Sequence, residues 1–295
     1  MLDREQLETF ATVAEQQSFE RAAAVLHVTR GAVSQRIKAL EESLATILLL
    51  RDKPVTPTPA GESLLRHVKA LRLLEASSLR ELSTGADHDG PVPLSIAVNA
   101  DSLATWFVPA LAAVAAAHPV RFDLVVDDQD HAHELLREGR VMAAVTAEPH
   151  PVQGCRVERL GELRYVAVAS PAFVARHFPD GPTDAALATA PITVFDRKDR
   201  LQARFLRRLS RRVLAPPVHH VPSTHGFVHA ALHGLGWGMH PAMLVAPLLA
   251  AGDLVEIAPG RDLRVPLHWQ CWRLEAEVLR ALNLAVEAAA RAALT

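Results

Sequence analysis

Val28–Leu44 reads VTRGAVSQRIKALEESL, and its reading decides the fold. Wound as a helix at about 100° per residue, it separates into two faces. Val33, Ile37, Leu40 and Leu44 fall on one side, an apolar stripe that a core must cover. Gly31, Ser34, Gln35 and Lys38 cluster on the other, with Arg30 and Arg36 flanking them. Thr29 stands where an N-cap hydroxyl belongs, directly before the periodic residues. Between positions 30 and 38 there are three basic residues and no acidic one. Such a face suits a DNA major groove, because small residues in the first turn permit close approach while Ser, Gln and Arg offer hydrogen bonds to base edges or phosphates. A solvated polar face looks much the same, so this helix by itself leaves both readings open.

The flanking sequence narrows the choice. Leu7, Phe10 and Val13/Ala14 make an apolar stripe in a first helix, and Ser18 is a candidate cap for a second, whose Phe19, Ala22, Ala23 and Leu26 share one face. Three short helices with tight joints therefore fill about the first 45 residues. LLLRDKPVTPTPAG then combines a β-prone stretch, a charged turn and three prolines, which suits a two-stranded wing. A capped helix, a tight turn and a third helix with a basic polar face form a helix-turn-helix, and Arg51 and Lys53 on the wing are placed to grip flanking phosphates.

From Pro59 to about Leu82 the chain is helix-favouring, with Leu64, Val68, Leu71, Leu79 and Leu82 along one side and Glu75 interrupting them. This predicts an imperfect coiled-coil helix that joins two copies of the chain, against the alternative of a helix packed on its own domain. STGADHDGPVP has the composition of a linker. Beyond it, short apolar runs alternate with helical segments, as in PLSIAVNA, VRFDLVV, MAAVTA, RYVAVAS, PITVF and PLHWQCW, which predicts a mostly parallel sheet in two α/β lobes. A cleft between lobes is a common seat for a small molecule.

Bulk properties set the bounds. A chain of 295 residues has room for two ordinary domains, and 49% hydrophobic with 22% charged residues fits a globular protein. Net charge is -2, so affinity for DNA must come from a local face. The opening MLDREQLETF lacks a basic, then apolar, export leader, and charges or prolines interrupt every apolar run, which predicts a cytoplasmic protein with no membrane partner. Cys155 and Cys271 form no C-x-x-C pattern and read as two buried thiols.

The segment SFERAAAVLHVTRGAVSQRIKALEESLATILLLRDKPVTPTPAGESLL resembles the N-terminal winged helix-turn-helix of LysR-type transcriptional regulators. The matching residues are Ser18-Phe19, Ala22-Ala23, Ala32-Val33-Ser34, Ile37-Lys38, Leu40-Glu41, Arg51, and Thr58 with Ala60-Gly61. Arg30-Gly31 departs from the usual polar residue followed by proline or serine, and Ala45 replaces a usual glycine. The resemblance covers essentially the whole chain. It implies an N-terminal all-α winged helix-turn-helix with a linker helix, then a C-terminal α/β, two-lobed effector domain like that of the periplasmic binding proteins. The domains would be 1–58 for DNA binding, 59–84 for dimerisation and 91–295 for effector binding, with one lobe at about 91–163 and 268–295 and the other at about 164–267. It also implies double-stranded operator DNA and RNA polymerase as partners, a homodimer or homotetramer, no enzymatic activity and no cofactor. Ser18, Thr29, Arg30, Gly31, Ser34, Gln35, Arg36, Lys38, Arg51 and Lys53 are the residues expected at the DNA.

A narrower resemblance lies in AVNADSLATWFVPAL, AAVTAEP and GLGWGMHP, which are similar to the branch of that family responsive to arginine and lysine and controlling basic amino-acid export. The family's effector contacts fall on the first strand-to-helix turn, here Asn99, Asp101, Ser102 and Leu103. The chemistry of this turn suits an amino acid in its own right: Ser102 and the amides of a helix start can hold a carboxylate, and Asp101 can pair with an ammonium. By position Asp101 serves equally well as a helix cap. Asp127, Asp128 and Asp130 after the second strand, Thr146 and Glu148 after another, and Phe195, Thr224 and His225 from the second lobe complete the candidate set. The aspartates read equally as a solvated turn.

Other classes find little support. His225, His229 and His233 share a helical face, but no H-E-x-x-H accompanies them, so no metal is expected. GLGWGM precedes a strand and lacks the order of a nucleotide loop. A solute-binding receptor would use the two lobes but has no need of a winged helix.

Overall fold

The structure, a computed structural model, describes residues 2–82, 90–126 and 132–295. Side-chain caps start each of the first three helices. Asp3, Ser18 and Thr29 accept hydrogen bonds from the backbone N–H groups of Gln6, Arg21 and Ala32 at 2.9, 3.3 and 3.2 Å. They begin α1 (Arg4–Gln16), α2 (Phe19–Val25) and α3 (Arg30–Leu44). Left-handed residues end these helices or turn the chain between them: Gln17 at φ 53°, His27 at φ 54° and Ala45 at φ 49°. One core closes over Leu7, Phe10, Val13, Ala22, Val33, Ile37 and Leu40. Leu44 departs from expectation. It lies in the last turn of α3, outside the core cluster, and stays 36% exposed.

The wing is a short antiparallel hairpin, β1 (Leu49–Leu50) paired with β2 (Thr56–Pro57). Its seat explains two of the sequence motifs. Glu41 at the end of α3 accepts from the N–H groups of Leu48 and Leu49 at 2.9 and 3.3 Å. Thr58 donates its hydroxyl to the Ile47 carbonyl at 2.7 Å and accepts from the Gly61 N–H at 3.1 Å. A Cβ on Gly61 would sit 2.1 Å from the Leu48 carbonyl oxygen, so this position in α4 (Pro59–Leu82) has room only for hydrogen.

The linker helix α4 packs differently from the expected stripe. It buries Leu65, Val68, Lys69 and Leu73, whereas Leu64 and Leu71 are part-buried on the winged-helix core and Leu79 is 47% exposed. Arg72 lies between Glu8 and Glu15 of α1 at 2.6 and 2.9 Å and turns this face toward α1. The adjoining side of α4 meets the turn after α7 (Ala132–Arg137): Lys69 Nζ donates to the Arg140 carbonyl at 2.9 Å, and Arg66 donates to that of Arg137. A cavity of about 530 Å³ lies beside this contact, lined by Glu15, Lys69, Arg72, Phe122 and Met142 among others.

The rest of the chain forms β3 (Val92–Val98), a helical run made of α5 (Ala100–Ser102), the π-turn Leu103–Phe107 and α6 (Val108–Ala117), then β4 (Val120–Val126). After α7 come β5 (Ala143–Thr146), β6 (Cys155–Ala169), α8 (Pro171–His177), α9 (Asp184–Thr189), β7 (Ile192–Val194), α10 (Leu201–Leu209), β8 (Val218–His220) and α11 (Thr224–Leu232). The chain closes with β9 (Gly238–Pro241), α12 (Ala242–Ala251), β10 (Val255–Glu256), β11 (Leu263–Trp272) and α13 (Glu277–Ala293).

Two compact units emerge. The first comprises Met1–Val98, Leu111–Glu158 and Trp269–Ala285, and the second Asn99–Ala110, Arg159–His268 and Val286–Thr295. Contacts thus group Asn99–Ala110 and Val286–Thr295 with the span expected as the second lobe. In the first unit β3 runs parallel to both β4 and β5. In the second, β6 is antiparallel to β9 and to β10, and β7 is parallel to β8. Of these five pairings three are parallel and two antiparallel, so the parallel pairing expected from the sequence is joined by antiparallel strands on β6. Short runs such as Gly238–Pro241 carry no directional signal in sequence. Ala100–Ala117 is long and apolar enough, by composition, to cross a membrane, but it contains Asp101 and Pro109 and turns Ser102, Trp106, Phe107 and Ala110 into the protein interior.

Two substitutions test this account by urea unfolding. Gly61→Ala forces a carbon into the Leu48 carbonyl and is expected to destabilise by about 1–3 kcal/mol. Ala45→Gly relieves a left-handed alanine and is expected to stabilise by about 0.5–1 kcal/mol.

Candidate functional site

The polar face of α3 is exposed, and its cations Arg30 and Lys38 are paired with carboxylates. Gly31, Gln35 and Lys38 are exposed along α3 and Ser34 is part-buried. Arg30 pairs with Glu20 at 3.0 Å, Lys38 with Glu42 at 3.6 Å, and Arg51 with Glu41 at 3.4 Å while its guanidinium lies 5.8 Å from the Phe19 ring centre. These exposed pairs hold their partners weakly, so phosphates can replace the carboxylates. Ser18 and Thr29 spend their hydroxyl oxygens on caps. Arg36 differs from the expected flanking role. It turns toward α1, pairing with Glu5 at 2.7 Å and donating to Thr9 at 3.4 Å. Lys53 is exposed on the wing. A Cβ on Gly31 would meet only Thr29 Oγ1 at 3.8 Å, so the fold does not require glycine there.

The second group is built in the second unit around Asp101. Asn99 begins α5 and makes no side-chain cap bond, while Asp101, inside the first turn, turns its carboxylate to Tyr165 and Thr224 rather than to the helix start. Tyr165, the single tyrosine of the chain, donates to Asp101 Oδ2 at 2.7 Å, and Thr224 donates to Oδ1 at 3.3 Å. Asp199 stands near enough to act on Asp101 electrostatically, and it accepts the N–H groups of Phe195 and Leu201 at 3.0 and 2.9 Å. Loss of water around the Asp101 carboxyl raises its pKa from the ordinary value, the two hydroxyl donors oppose this, and the Asp199 charge adds to the rise. Burial, together with the Asp101 charge, raises the Tyr165 phenol well above its ordinary range. Among the described residues no ion pair joins Asp101 or Asp199 to a cation, while Asn99 Oδ1 and Ser102 Oγ are buried with no hydrogen-bond partner there. The result is a pair of carboxylates beside vacant polar atoms, and the adjoining π-turn Leu103–Phe107 is a local irregularity of a kind often found at functional sites.

The remaining candidates divide as follows. Leu103, Phe195, Thr224 and His225 belong to the second unit with Asp101. His225 is exposed, beside Thr224 at the start of α11. Thr146 belongs to the first unit, where its Oγ1 accepts from the Glu148 N–H at 3.1 Å. Asp128, with Asp127 and Asp130, lies outside the described residues. Tyr165 and Asp199 were missed in the sequence. Tyr165 sits in an apolar run that reads as plain buried strand, and Asp199 in a charged loop that reads as solvated. Of the histidine stripe, His229 and His233 are exposed with rings stacked 6.3 Å apart.

Comparison with known proteins resolves the class. A model described as the bacterial regulatory helix-turn-helix protein, lysR family, matches residues 4–62, and one described as the LysR substrate binding domain matches residues 92–293. The chain belongs to the LysR family of transcriptional regulators. Among its relatives, the regulator is 47% identical over 289 residues to the HTH-type transcriptional regulator LysG of Mycobacterium tuberculosis, covering 98% of this chain and 94% of that one. It is 43% identical over 275 residues to ArgP of Aeromonas salmonicida, covering 93% and 92%. Among solved structures it is similar to ArgP from Mycobacterium tuberculosis, with a TM-score of 0.88 and 46% identity over 100% of this chain and 99% of that one. The full-length LysG of Corynebacterium glutamicum, solved with arginine as bound effector, matches with a TM-score of 0.79 and 38% identity over 99% of both chains. The regulator thus has the architecture expected from its sequence, a winged helix-turn-helix followed by a two-lobed effector domain, and its relatives are regulators rather than enzymes.

Two variants separate the roles on α3. Gln35→Ala should lower the preference for operator over random duplex by about 1–3 kcal/mol if that amide reads a base, whereas equal loss on both would reassign it to a phosphate. Glu20→Gln frees Arg30 and should tighten DNA binding a few-fold at low salt, with the gain vanishing at high salt.

Proposed function

We propose that this regulator senses lysine or arginine at the Asp101 site and, in response, controls genes of basic amino-acid export or metabolism. The observation that carries the reading is the Asp101 carboxylate, held by Tyr165 and Thr224, close to Asp199 and unmatched by a cation among the described residues. A ligand ammonium or guanidinium supplies the missing charge, and the vacant oxygens of Asn99 and Ser102 suit its remaining donors. Relatives at 43–47% identity carry the names LysG and ArgP, one of them is named for lysine export, and a LysG structure holds arginine. Phe195, His225 and Leu103, in the same unit as Asp101, border the ligand in this reading.

Residues 1–58 read DNA, 59–84 pair two copies through the linker helix, and dimers or tetramers present paired winged helices to a promoter in the cytoplasm. Ligand binding favours one arrangement of the effector domain, shifts the population of DNA-bound forms and so changes the engagement of RNA polymerase. Footprints and transcription by purified polymerase that stay unchanged when lysine or arginine is added would sink this mechanism.

Calorimetry tests the site directly. Lysine and arginine should bind and glutamate should not, and Asp101→Asn should weaken binding at least tenfold. Burial raises the free Asp101 pKa and a bound cation lowers it again. Binding therefore releases protons on the acid side of the raised value, and affinity should fall as pH drops through it and level off above it. The same sign applies to folding: a carboxyl with a raised native pKa costs stability above that value, so Asp101→Asn should raise the melting temperature of the ligand-free protein at neutral pH.

A further inference from the structure

The chain is nearly neutral, with 31 Lys+Arg against 33 Asp+Glu, yet its charge is unevenly spread. From Arg200 to Gly252 there is no aspartate or glutamate, and six arginines fall between Arg200 and Arg212. Helix α10 turns Gln202, Phe205 and Leu206 inward. Arg204, Arg207 and Arg208 lie exposed on the other side, in line with exposed Arg200 before the helix and Arg211 after it. The carboxylates next to this run are engaged elsewhere. Asp196 accepts the N–H groups of Lys198 and Asp199 at 2.7 and 2.9 Å, and Asp199 accepts those of Phe195 and Leu201. Among the described residues, no carboxylate forms an ion pair with Arg200, Arg204, Arg207 or Arg211.

A second cluster continues the face. Arg208 Nη1 donates to the Asp262 carbonyl at 2.7 Å, and Arg164 and Arg264 both reach the Asp262 carboxylate, at 2.9 and 3.6 Å. One carboxylate therefore serves two guanidiniums with a third at its backbone, which leaves the cluster cationic. Holding this many like charges on one face is unfavourable unless a polyanion neutralises them.

We propose that this arginine face binds the phosphate backbone of duplex DNA, as a sequence-independent contact additional to the winged helix. The proposal rests on the DNA-binding reading of the family. The cations here are guanidiniums almost throughout, the group whose planar fork matches phosphate in two parallel hydrogen bonds. Arg200 to Arg207 extends about 10 Å along a helix axis, a length over which a duplex carries about six phosphates. Once the winged helices hold DNA, the local concentration of duplex is high, so contacts too weak to act alone count. The neutral overall charge of the chain makes such a second contact useful, since α3 and the wing must first release their own carboxylates.

The test uses the full-length protein and its variants R204Q/R207Q/R211Q, R204K/R207K/R211K and the single R207Q, each checked for cooperative melting. Binding is followed against salt on an operator duplex of about 60 base pairs and on one of about 20 that spans only the winged-helix contacts. On the long duplex the triple Gln variant should lose about 2–3 from the slope of log affinity against log salt, the single variant about 1, and the Lys variant little. On the short duplex all slopes should match. Equal slopes on the long duplex overturn the proposal. If polymerase-dependent transcription then falls with DNA binding unchanged, the face belongs to an acidic protein surface instead. Failure of the parent protein to bind either duplex would sink the DNA-binding reading itself, a separate result.

Discussion

Glu41 is the junction on which the DNA-binding half depends. It stands in the last turn of α3, and its carboxylate takes the N–H groups of Leu48 and Leu49 and the guanidinium of Arg51, at and beside the first strand of the wing. The angle between α3 and the wing is thereby set by one side chain. The next joint is as narrow, because Thr58 and Gly61 bring α4 against the Leu48 carbonyl with no space for a methyl group. Orientation passes from reading helix to wing to linker helix through hydrogen bonds and one close approach, and Arg72 extends it back to α1 through two glutamates.

The effector region follows the opposite principle. In the winged helix Arg30, Lys38 and Arg51 each find a carboxylate, whereas around Asp101 negative charge is left without an answering cation among the described residues. A carboxyl whose pKa is raised by lost hydration is an energetic cost carried by the ligand-free state. In the reading proposed for Asp101 that cost is also selectivity, since an acidic ligand would add to it and a basic one would remove it.

Legibility in the sequence tracked the range of the forces involved. Caps at Asp3, Ser18 and Thr29 and the stripe Val33, Ile37 and Leu40 are local, so the three helices could be read directly. The wing was readable from its prolines. Leu44 and Leu79 followed the right period yet stayed exposed, because burial also needs a neighbour at that end of the helix. Helices α9 and α12 went unread: α9 has only six residues, and α12 is apolar on every side. Asp101 was placed correctly as a candidate, but its partners Tyr165 and Thr224 lie 64 and 123 residues away, a relation that only the folded chain expresses. The contacts of Arg36 with Glu5 and Thr9 went unread for the same reason, since those residues are remote in sequence.

The contact of Arg66 and Lys69 with the carbonyls of Arg137 and Arg140 bears on how modular such a regulator is. A hybrid sensor would join the winged helix and α4 of one protein to the effector domain of another, with the cut after α4. Here that cut would carry two cations away with the head and leave their receptor turn in the receiver. Gly139 has its Cβ position 2.5 Å from the Arg66 side chain, so a bulkier turn in a foreign receiver would collide with the graft. Successful hybrids of this regulator would have to treat α4 and the turn at 137–140 as one inherited piece, although 70 residues separate them in the chain.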